Sequence, residues 1–126
     1  MNKVYLDANV LLEILFHRAR YEKVVELLGS MEEVQFCVSV LTIDIVMYFV
    51  EIEKQPKDKA WWFINKYEKL DMTLPDVEWA HDNDHGDFED ALQVGCARRH
   101  KCTQFITLDQ AVEPRYGRFI SVQTIR

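Results

Sequence analysis

The amino-acid sequence predicts an α/β fold in three layers, with a central parallel sheet of four to five strands and helices on both faces. Short apolar runs alternate along the chain with longer segments whose apolar residues recur at helical spacing. Strands that alternate with helices pair in parallel, because each helix carries the chain back across one face of the sheet. Aspartates directly follow the first apolar run and a late one, at the strand ends where ligands bind in such sheets.

The predicted elements follow one another without a linker, a repeat or a low-complexity tract. Gly29 closes the second helix, Pro75 suits the first turn of a short helix, and Asp87 caps the helix after it. The predicted strands are residues 3–6, 35–39, 72–74, 104–108 and 119–122. The predicted helices are residues 9–16, 21–28, 42–53, 58–70, 75–80 and 87–100, with a loop at 82–86.

Length and composition predict one soluble domain that spans residues 1–126. The chain is 48% hydrophobic and 29% charged, which is the balance of an ordinary globular protein. Its net charge of −6 disfavours a passive nucleic-acid-binding module, because such modules neutralise phosphates with basic residues. A nuclease that gathers carboxylates around metal ions remains compatible with this charge.

Three further features predict a cytoplasmic protein with no membrane segment. The three cysteines lack zinc-ligand spacing and are expected to be reduced and buried. The first residues run directly into a strand, which leaves no room for a signal peptide. The longest apolar run, residues 45–50, is too short to span a bilayer.

Five aspartates are the candidate site residues. Asp7 and Asp109 each follow a predicted strand, so both carboxylates are expected at the same edge of the sheet. Asp87 and Asp90 lie three residues apart on one helical face, and Asp44 lies near the start of its own helix. Taken singly, Asp87 is typical of a helix N-cap, and Asp90 and Asp44 are typical of acids in a first helical turn. Taken together, the five carboxylates are expected to line one pocket.

Such a cluster predicts a bound divalent cation, Mg²⁺ or Mn²⁺. Neighbouring carboxylates repel one another unless a cation intervenes. Magnesium binds through one or two carboxylates, retains several waters and accepts a substrate phosphate as a further ligand. It thereby activates water and stabilises the charge that develops when a phosphodiester is hydrolysed. No Gly-rich phosphate loop and no serine or cysteine nucleophile competes with this interpretation.

Three stretches of the chain resemble the PIN domain family, the nuclease fold of VapC-type toxins in bacterial toxin–antitoxin pairs. They are residues 4–12, 87–93 and 105–109, in the family's order and at spacings that it permits. The resemblance implies a PIN-like fold and cleavage of single-stranded or structured RNA by metal-activated water, leaving a 5′-phosphate and a 3′-hydroxyl. It also implies a homodimer that is inhibited by a small antitoxin protein.

The resemblance also implies roles for individual residues. The acids that would hold the metal are Asp7, Asp90 and Asp109. The polar side chains that would orient ligands or waters are Asn9 and Thr107. Asp44 would complete the catalytic acids, in a position where the family usually has a glutamate. Asp87 would support the site either as a ligand or only as a helix cap.

Two other classes of function compete with a nuclease. A PIN-like domain without catalysis would act as an RNA-binding or protein-interaction module, and the shorter Asp44 in place of glutamate favours it. A phospho-acceptor domain of the receiver type also gathers acids at strand ends. It requires an acidic pair ahead of the acceptor and a lysine after a late strand, and the sequence has neither.

Two polar features of the sequence each allow two interpretations. His81 and His85 lie four residues apart, a spacing that zinc sites use, although no third ligand accompanies them and a polar surface is the default. The basic segment 98–101 either steers RNA or forms an ordinary cationic helix C-terminus, which the helix dipole favours.

The helix predicted at 42–53 is apolar on two sides. Its second stripe contains Ile45, Phe49 and Ile52, and Trp62 lies on the outer side of the next helix. These residues either pack against each other within one chain or contact a partner, which would be a second copy of the chain or an antitoxin helix.

Overall fold

A computed structural model describes all 126 residues of the chain. Five strands form one sheet in the order β3-β2-β1-β4-β5, and every neighbouring pair is parallel. The strands are β1 Asn2–Leu6, β2 Val34–Ser39, β3 Glu68–Leu70, β4 Gln104–Thr107 and β5 Ser121–Thr124. The predicted parallel sheet is therefore confirmed, with five strands.

Seven helices connect the strands. They are α1 Ala8–Leu15, α2 Tyr21–Ser30, α3 Val40–Ile52, α4 Lys57–Ile64, α5 Leu74–Asn83, α6 Phe88–Arg99 and α7 Val112–Tyr116. No helix has both the length and the apolar character needed to cross a lipid bilayer.

The helices cover both faces of the sheet, as the predicted three layers require. Val4 and Leu6 of β1 point into a core formed with α1, α2, α3 and α4. Tyr5, between them, points into a second core formed with α5, α6 and α7. Side chains of a strand alternate between the two faces, so one strand supplies both cores.

The third strand lies where the sequence predicted the end of a helix. The predicted helix 58–70 ends at Ile64, and Glu68–Leu70 forms β3, which pairs with β2 through Cys37 and Glu68. The predicted strand 72–74 is wrong, because residue 74 begins α5. Nothing in the sequence breaks the helical pattern before residue 70, and pairing with β2 decides its conformation.

The last part of the chain also differs from the prediction. α7 was not predicted, and β5 begins two residues after the predicted start at 119. Phe119 instead packs against the α5 side of the molecule, where its ring meets Trp79 edge to face at 5.1 Å. The predicted loop at 82–86 begins later as well, because α5 continues to Asn83.

Candidate metal centre

Asp7 lies at the carboxyl end of β1, in the middle of the sheet. Its backbone N–H donates to Ile106 O of β4 at 2.9 Å, so the ladder continues through this residue. The Asp7 side chain is only 5% exposed. A carboxylate in that position requires either hydrogen-bond donors or a cation.

Three side chains donate hydrogen bonds to the Asp7 carboxylate. Gln93 Nε2 donates to Oδ1 at 3.3 Å, and Thr107 Oγ1 donates to Oδ2 at 2.8 Å. Asn9 Nδ2 lies 3.5 Å from Oδ2 and donates more closely, at 3.2 Å, to Thr107 Oγ1. These donors lie on α6, β4 and α1, so three elements fix the orientation of one carboxylate.

Asn9 and Thr107 also organise the backbone at the end of β4. Asn9 Oδ1 accepts from Leu108 N at 3.1 Å, and Thr107 Oγ1 accepts from Asp109 N at 3.0 Å. The bend after β4 is thus tied to both side chains, and it places Asp109 beside Asp7.

Asp90 is the second buried acid of the site. It is 7% exposed, and its Oδ2 is buried without any hydrogen-bond partner. Its backbone N–H donates to Asp87 Oδ1 at 3.0 Å, which makes Asp87 the side-chain cap of α6. An unpartnered buried carboxylate oxygen is costly, so this atom is the strongest indication of a missing positive partner.

The carboxylates act on each other's protonation. The pKa of Asp90 is raised to about 7, first by burial and then by the negative charges of Asp7, Asp87 and Asp109. Burial also raises the pKa of Asp7 to about 6, although the hydrogen bonds from Thr107 and Gln93 oppose the rise. The structure therefore brings Asp7, Asp90, Asp87 and Asp109 within electrostatic range of one another.

Asp109 and Asp44 occupy more open positions. Asp109 is exposed, and its Oδ1 accepts from Ala111 N at 2.9 Å. Asp44 is exposed on α3, in a groove that it shares with Glu89 of α6. The charge of Asp44 acts on the pKa of Glu89, whereas the charges with the largest effect on the pKa of Asp90 are those of Asp7, Asp87 and Asp109.

Glu89 was not singled out from the sequence. The pKa of Glu89 is raised, first by burial and then by the negative charges of Asp87 and Asp44. It was one of seven acids between residues 76 and 90, and nothing but its place directly before Asp90 distinguished it.

A buried polar network behind Asp7 also escaped sequence reasoning. Tyr5 Oη lies 2.7 Å from Ser39 Oγ and 2.9 Å from Thr42 Oγ1. It donates to Gln93 Oε1 at 3.2 Å, and the other end of that amide donates to Asp7. The available signal was the spacing of Gln93, three residues after Asp90 on the same helical face.

The donor set fits a hard cation, although it does not form a closed cage. No three His, Cys, Asp or Glu side chains converge as the ligands of a fully protein-bound ion would. Magnesium requires fewer, since it binds through one or two carboxylates and retains waters. No basic side chain forms a salt bridge with Asp7, Asp90 or Asp109, so the charge of the site is uncompensated.

The two histidines do not form a metal site of their own. His81 lies on α5 and pairs with Asp82 at 3.3 Å. His85 Nδ1 lies 2.6 Å from Asn83 O, and its Nε2 contacts Arg118. Each histidine thus has its own partners, and no third ligand faces both.

The sequence matches the family model described as a PIN domain over residues 3–111. The chain belongs to the PIN domain family. A comparison with curated protein sequences finds no match.

Solved structures share the fold of this PIN domain over nearly its whole length. A toxin–antitoxin complex from Klebsiella pneumoniae superimposes with a TM-score of 0.77 at 17% identity, covering 98% of both chains. DNA-bound VapBC from Salmonella typhimurium gives 0.72 at 19% identity, covering 100% of both chains. VapC20 from Mycobacterium tuberculosis, a toxin that cleaves the sarcin-ricin loop, gives 0.72 at 14% identity, covering 88% of this chain and 93% of its own. At these identities the likeness concerns the fold.

Proposed function

We propose that this PIN domain is a metal-dependent endoribonuclease and the toxin component of a toxin–antitoxin pair. The observation that supports the proposal most directly is the buried, unpartnered Oδ2 of Asp90 beside the buried carboxylate of Asp7. A pocket of carboxylates without a basic partner favours the binding of a cation, and the phosphate of a nucleic acid completes the ligand shell of such a cation.

Asp7, Asp90 and Asp109 would hold one or two Mg²⁺ or Mn²⁺ ions. A bound ion supplies an activated water and a positive charge opposite the scissile phosphate. The chain's own residues orient the acids: Gln93 and Thr107 fix both oxygens of Asp7, and the Asp87 cap fixes the start of α6, which carries Asp90. Attack by water on phosphorus with departure of the 3′ oxygen leaves a 5′-phosphate and a 3′-hydroxyl.

Asp44 has a different role in this proposal. Its exposed carboxylate and that of Glu89 lie in the open groove between α3 and α6, where they would meet waters around the metal or the RNA. Asp44→Asn is therefore expected to lower cleavage while leaving the thermal stability of the metal-free protein unchanged.

The toxin assignment rests on the fold that this chain shares with toxin–antitoxin complexes and on exposed apolar residues of α3 and α4. Tyr48 is 58% exposed and Trp62 is 66% exposed, with Ile52 and Trp61 also open. Four large apolar side chains exposed on two helices that contact each other favour a contact surface. We assign it to an antitoxin helix or to the second chain of a homodimer.

Cleavage of total bacterial RNA tests the nuclease. The protein is incubated with Mn²⁺, with Mg²⁺ or with EDTA, and the ends of any products are mapped by sequencing. Discrete cuts bearing 5′-phosphates in metal, absent with EDTA and with Asp90→Asn, support the proposal. Asp82→Asn, which removes an exposed acid outside the site, serves as the matched control and should cut as the wild type does.

The alternative is a PIN domain that binds RNA or protein without cleaving. The shorter side chain of Asp44, in a position where the family usually has a glutamate, favours it. Intact RNA at every metal concentration, together with a melting temperature that metal does not raise, would establish this alternative.

A further inference from the structure

We propose that a second surface, on the α5–α6 side of the domain, binds the backbone of a single-stranded RNA that extends from the metal centre. This arginine–aromatic surface consists of Trp79, His85, Arg98, Arg115, Arg118 and Phe119. The inference rests on the proposed ribonuclease function, since it assigns a path to the RNA of that same site.

Two arginines of the surface lie against aromatic rings. The guanidinium carbon of Arg98 lies 5.1 Å from the centroid of the Trp79 ring and 5.5 Å from that of Phe119. The guanidinium of Arg118 lies 4.7 Å from the same Phe119 centroid. One phenylalanine therefore holds two cations. A guanidinium positioned on a ring loses less side-chain entropy when its N–H groups bind a phosphate.

These arginines are free to take a ligand. Arg98, Arg115 and Arg118 form no salt bridge, whereas the neighbouring Arg99 pairs with Asp76 at 2.8 Å and with Asp71 at 3.6 Å. The two arginines at the end of α6 therefore differ: Arg99 forms salt bridges within the fold, and Arg98 forms none. Unpaired arginines grouped on one face stand out in a chain of net charge −6.

The surface is continuous with the metal centre. Arg118 contacts the His85 ring, two residues before the Asp87 cap. Tyr116 Oη accepts from His85 N at 3.2 Å and donates to Asp87 O at 2.8 Å, which ties the arginine-bearing segment to the start of α6. The Arg115 guanidinium covers Gly86, where an added Cβ would meet Nε at 3.2 Å. The basic groups therefore begin at the rim of the acidic pocket.

From that rim the surface follows α6 toward its carboxyl end. Asp87 and Arg98 are separated by roughly 16 Å of helix. Beside Arg98 a groove of about 320 Å³ opens between α5 and α6, lined by Trp79 and Gly95 among others. An added Cβ at Gly95 would lie 2.9 Å from the Trp79 ring, so the glycine lets this ring lie close to α6.

Single-stranded RNA is the ligand that this combination recognises. Cations contact its phosphates, and guanidinium planes and aromatic rings stack on its unpaired bases. The net charge of −6 repels a polyanion everywhere except close to a bound cation. A cationic path beside the acidic pocket adds to that local attraction.

The test measures RNA binding without cleavage. A fluorescent, unstructured 20-nucleotide RNA is titrated with protein in EDTA by anisotropy, at salt concentrations from 50 to 200 mM. Arg98→Ala/Arg118→Ala is compared with the control Lys54→Ala/Lys59→Ala, which removes two exposed, unpaired charges from the opposite side of the sheet. Loss of two phosphate contacts should lower the slope of log Kd against log salt by about 1.4 and weaken binding, with no change in the control.

Three outcomes of these titrations would overturn the inference, and a variant that keeps both charges supplies a fourth. They are wild-type binding by the arginine variant, equal losses in both variants, and displacement of the RNA by poly-glutamate at matched charge, which would indicate an acidic protein ligand instead. Arg98→Lys/Arg118→Lys keeps both charges and should recover the wild-type slope. If it does not, the loss reflects altered folding and the surface is not a binding site.

A failure of this inference can be distinguished from a failure of the nuclease proposal. RNA that binds through the arginines but stays intact in Mn²⁺ would contradict the nuclease proposal and support the arginine–aromatic surface as an RNA-binding site. Metal-dependent cleavage by the wild type, with unchanged RNA binding by the arginine variant, would support the nuclease proposal and contradict the RNA-binding surface.

Discussion

The hydroxyl of Thr107 donates a hydrogen bond of 2.8 Å to Oδ2 of Asp7, although the two residues lie 100 positions apart in the chain. Thr107 ends β4, and Asp7 follows the neighbouring strand β1. The bond therefore joins the two strand ends that carry the candidate metal ligands, and it opposes the rise in the pKa of Asp7 that burial causes.

Thr107→Val removes this donor at nearly constant volume. The free energy of unfolding is expected to fall by about 1–3 kcal/mol, because Asp7 Oδ2 and the Asp109 N–H each lose a partner. The pKa of Asp7 should also rise above about 6. Chemical denaturation measures the first effect, and carboxyl-carbon NMR measures the second. Thr103→Val, at an exposed hydroxyl that donates only to Lys3 O, is the control and should change neither.

The stability of the metal-free protein is expected to depend on pH through Asp7 and Asp90. Both carboxyls have folded-state pKa values, about 6 and about 7, above their values in the unfolded chain. Their protonated forms therefore favour the folded state. This contribution is complete below about pH 4 and disappears as the pH rises through 7, a loss of at most about 7 kcal/mol for the two carboxyls together. Melting temperatures in EDTA from pH 4 to 8 measure it; stability from these groups that increases with pH would contradict the assignment.

Asp90→Asn should stabilise the metal-free protein at pH 8. It removes a buried charge that Asp7, Asp87 and Asp109 repel, worth roughly 2 kcal/mol in the free energy of unfolding. The same variant should lose the response to metal. An ion that binds only the folded state stabilises the wild type by about 2.7 kcal/mol at 100 times its Kd.

Melting curves with Mn²⁺ and with Mg²⁺ measure both effects of the Asp90 substitution. Asp82→Asn, the exposed control, should melt and respond as the wild type does. Equal metal responses in Asp90→Asn and the wild type would exclude Asp90 as a ligand.

Tyr5→Phe tests the network behind the site. The Tyr5 hydroxyl forms hydrogen bonds with the buried side chains of Ser39, Thr42 and Gln93. Its loss therefore removes one hydrogen-bond partner from each of them. We expect the free energy of unfolding to decrease by about 1–3 kcal/mol. Tyr48→Phe removes an exposed hydroxyl and should be neutral. A neutral Tyr5→Phe would mean that the network does not stabilise the fold.

Tyr48→Asp tests the apolar surface of α3 and α4. Phe49 is partly buried against the core, so Phe49→Asp would also unfold the domain, whereas Tyr48 is exposed. If this surface contacts a second chain, analytical ultracentrifugation should show a wild-type dimer and a Tyr48→Asp monomer with an unchanged melting temperature. A Tyr48→Asp protein that is still a dimer would show that the dimer contact lies elsewhere. A monomeric wild type would exclude the homodimer and leave the antitoxin as the expected partner of this surface.

The sequence predicted those elements whose signal is local. The alternating run of β1 and the apolar run of β4 required only their own residues, and both were found with the aspartates that follow them. β3 was missed because its three residues carry no strand pattern and owe their conformation to the pairing with β2. α7 was missed for a similar reason, since five residues are too few for a helical period to show.

The candidate site divides in the same way. Asp87 and Asp90 share one helical turn, so their proximity was predictable from spacing alone. The position of Asp44 in a groove with Glu89 was not predictable, because it depends on how α3 packs relative to α6. Their roles as ligands and catalysts remain predictions.

By itself the sequence determined the three-layer parallel fold, the PIN family and the acids at the strand ends, because periodicity and strand-end position are properties of short segments. Only the tertiary structure decided which acids are buried, that Asp90 Oδ2 lacks a partner and that Arg98 is free while Arg99 is paired. Burial and pairing depend on residues brought together from distant parts of the chain. Desolvation and charge repulsion, which set the chemistry of the site, exist only after those parts have packed.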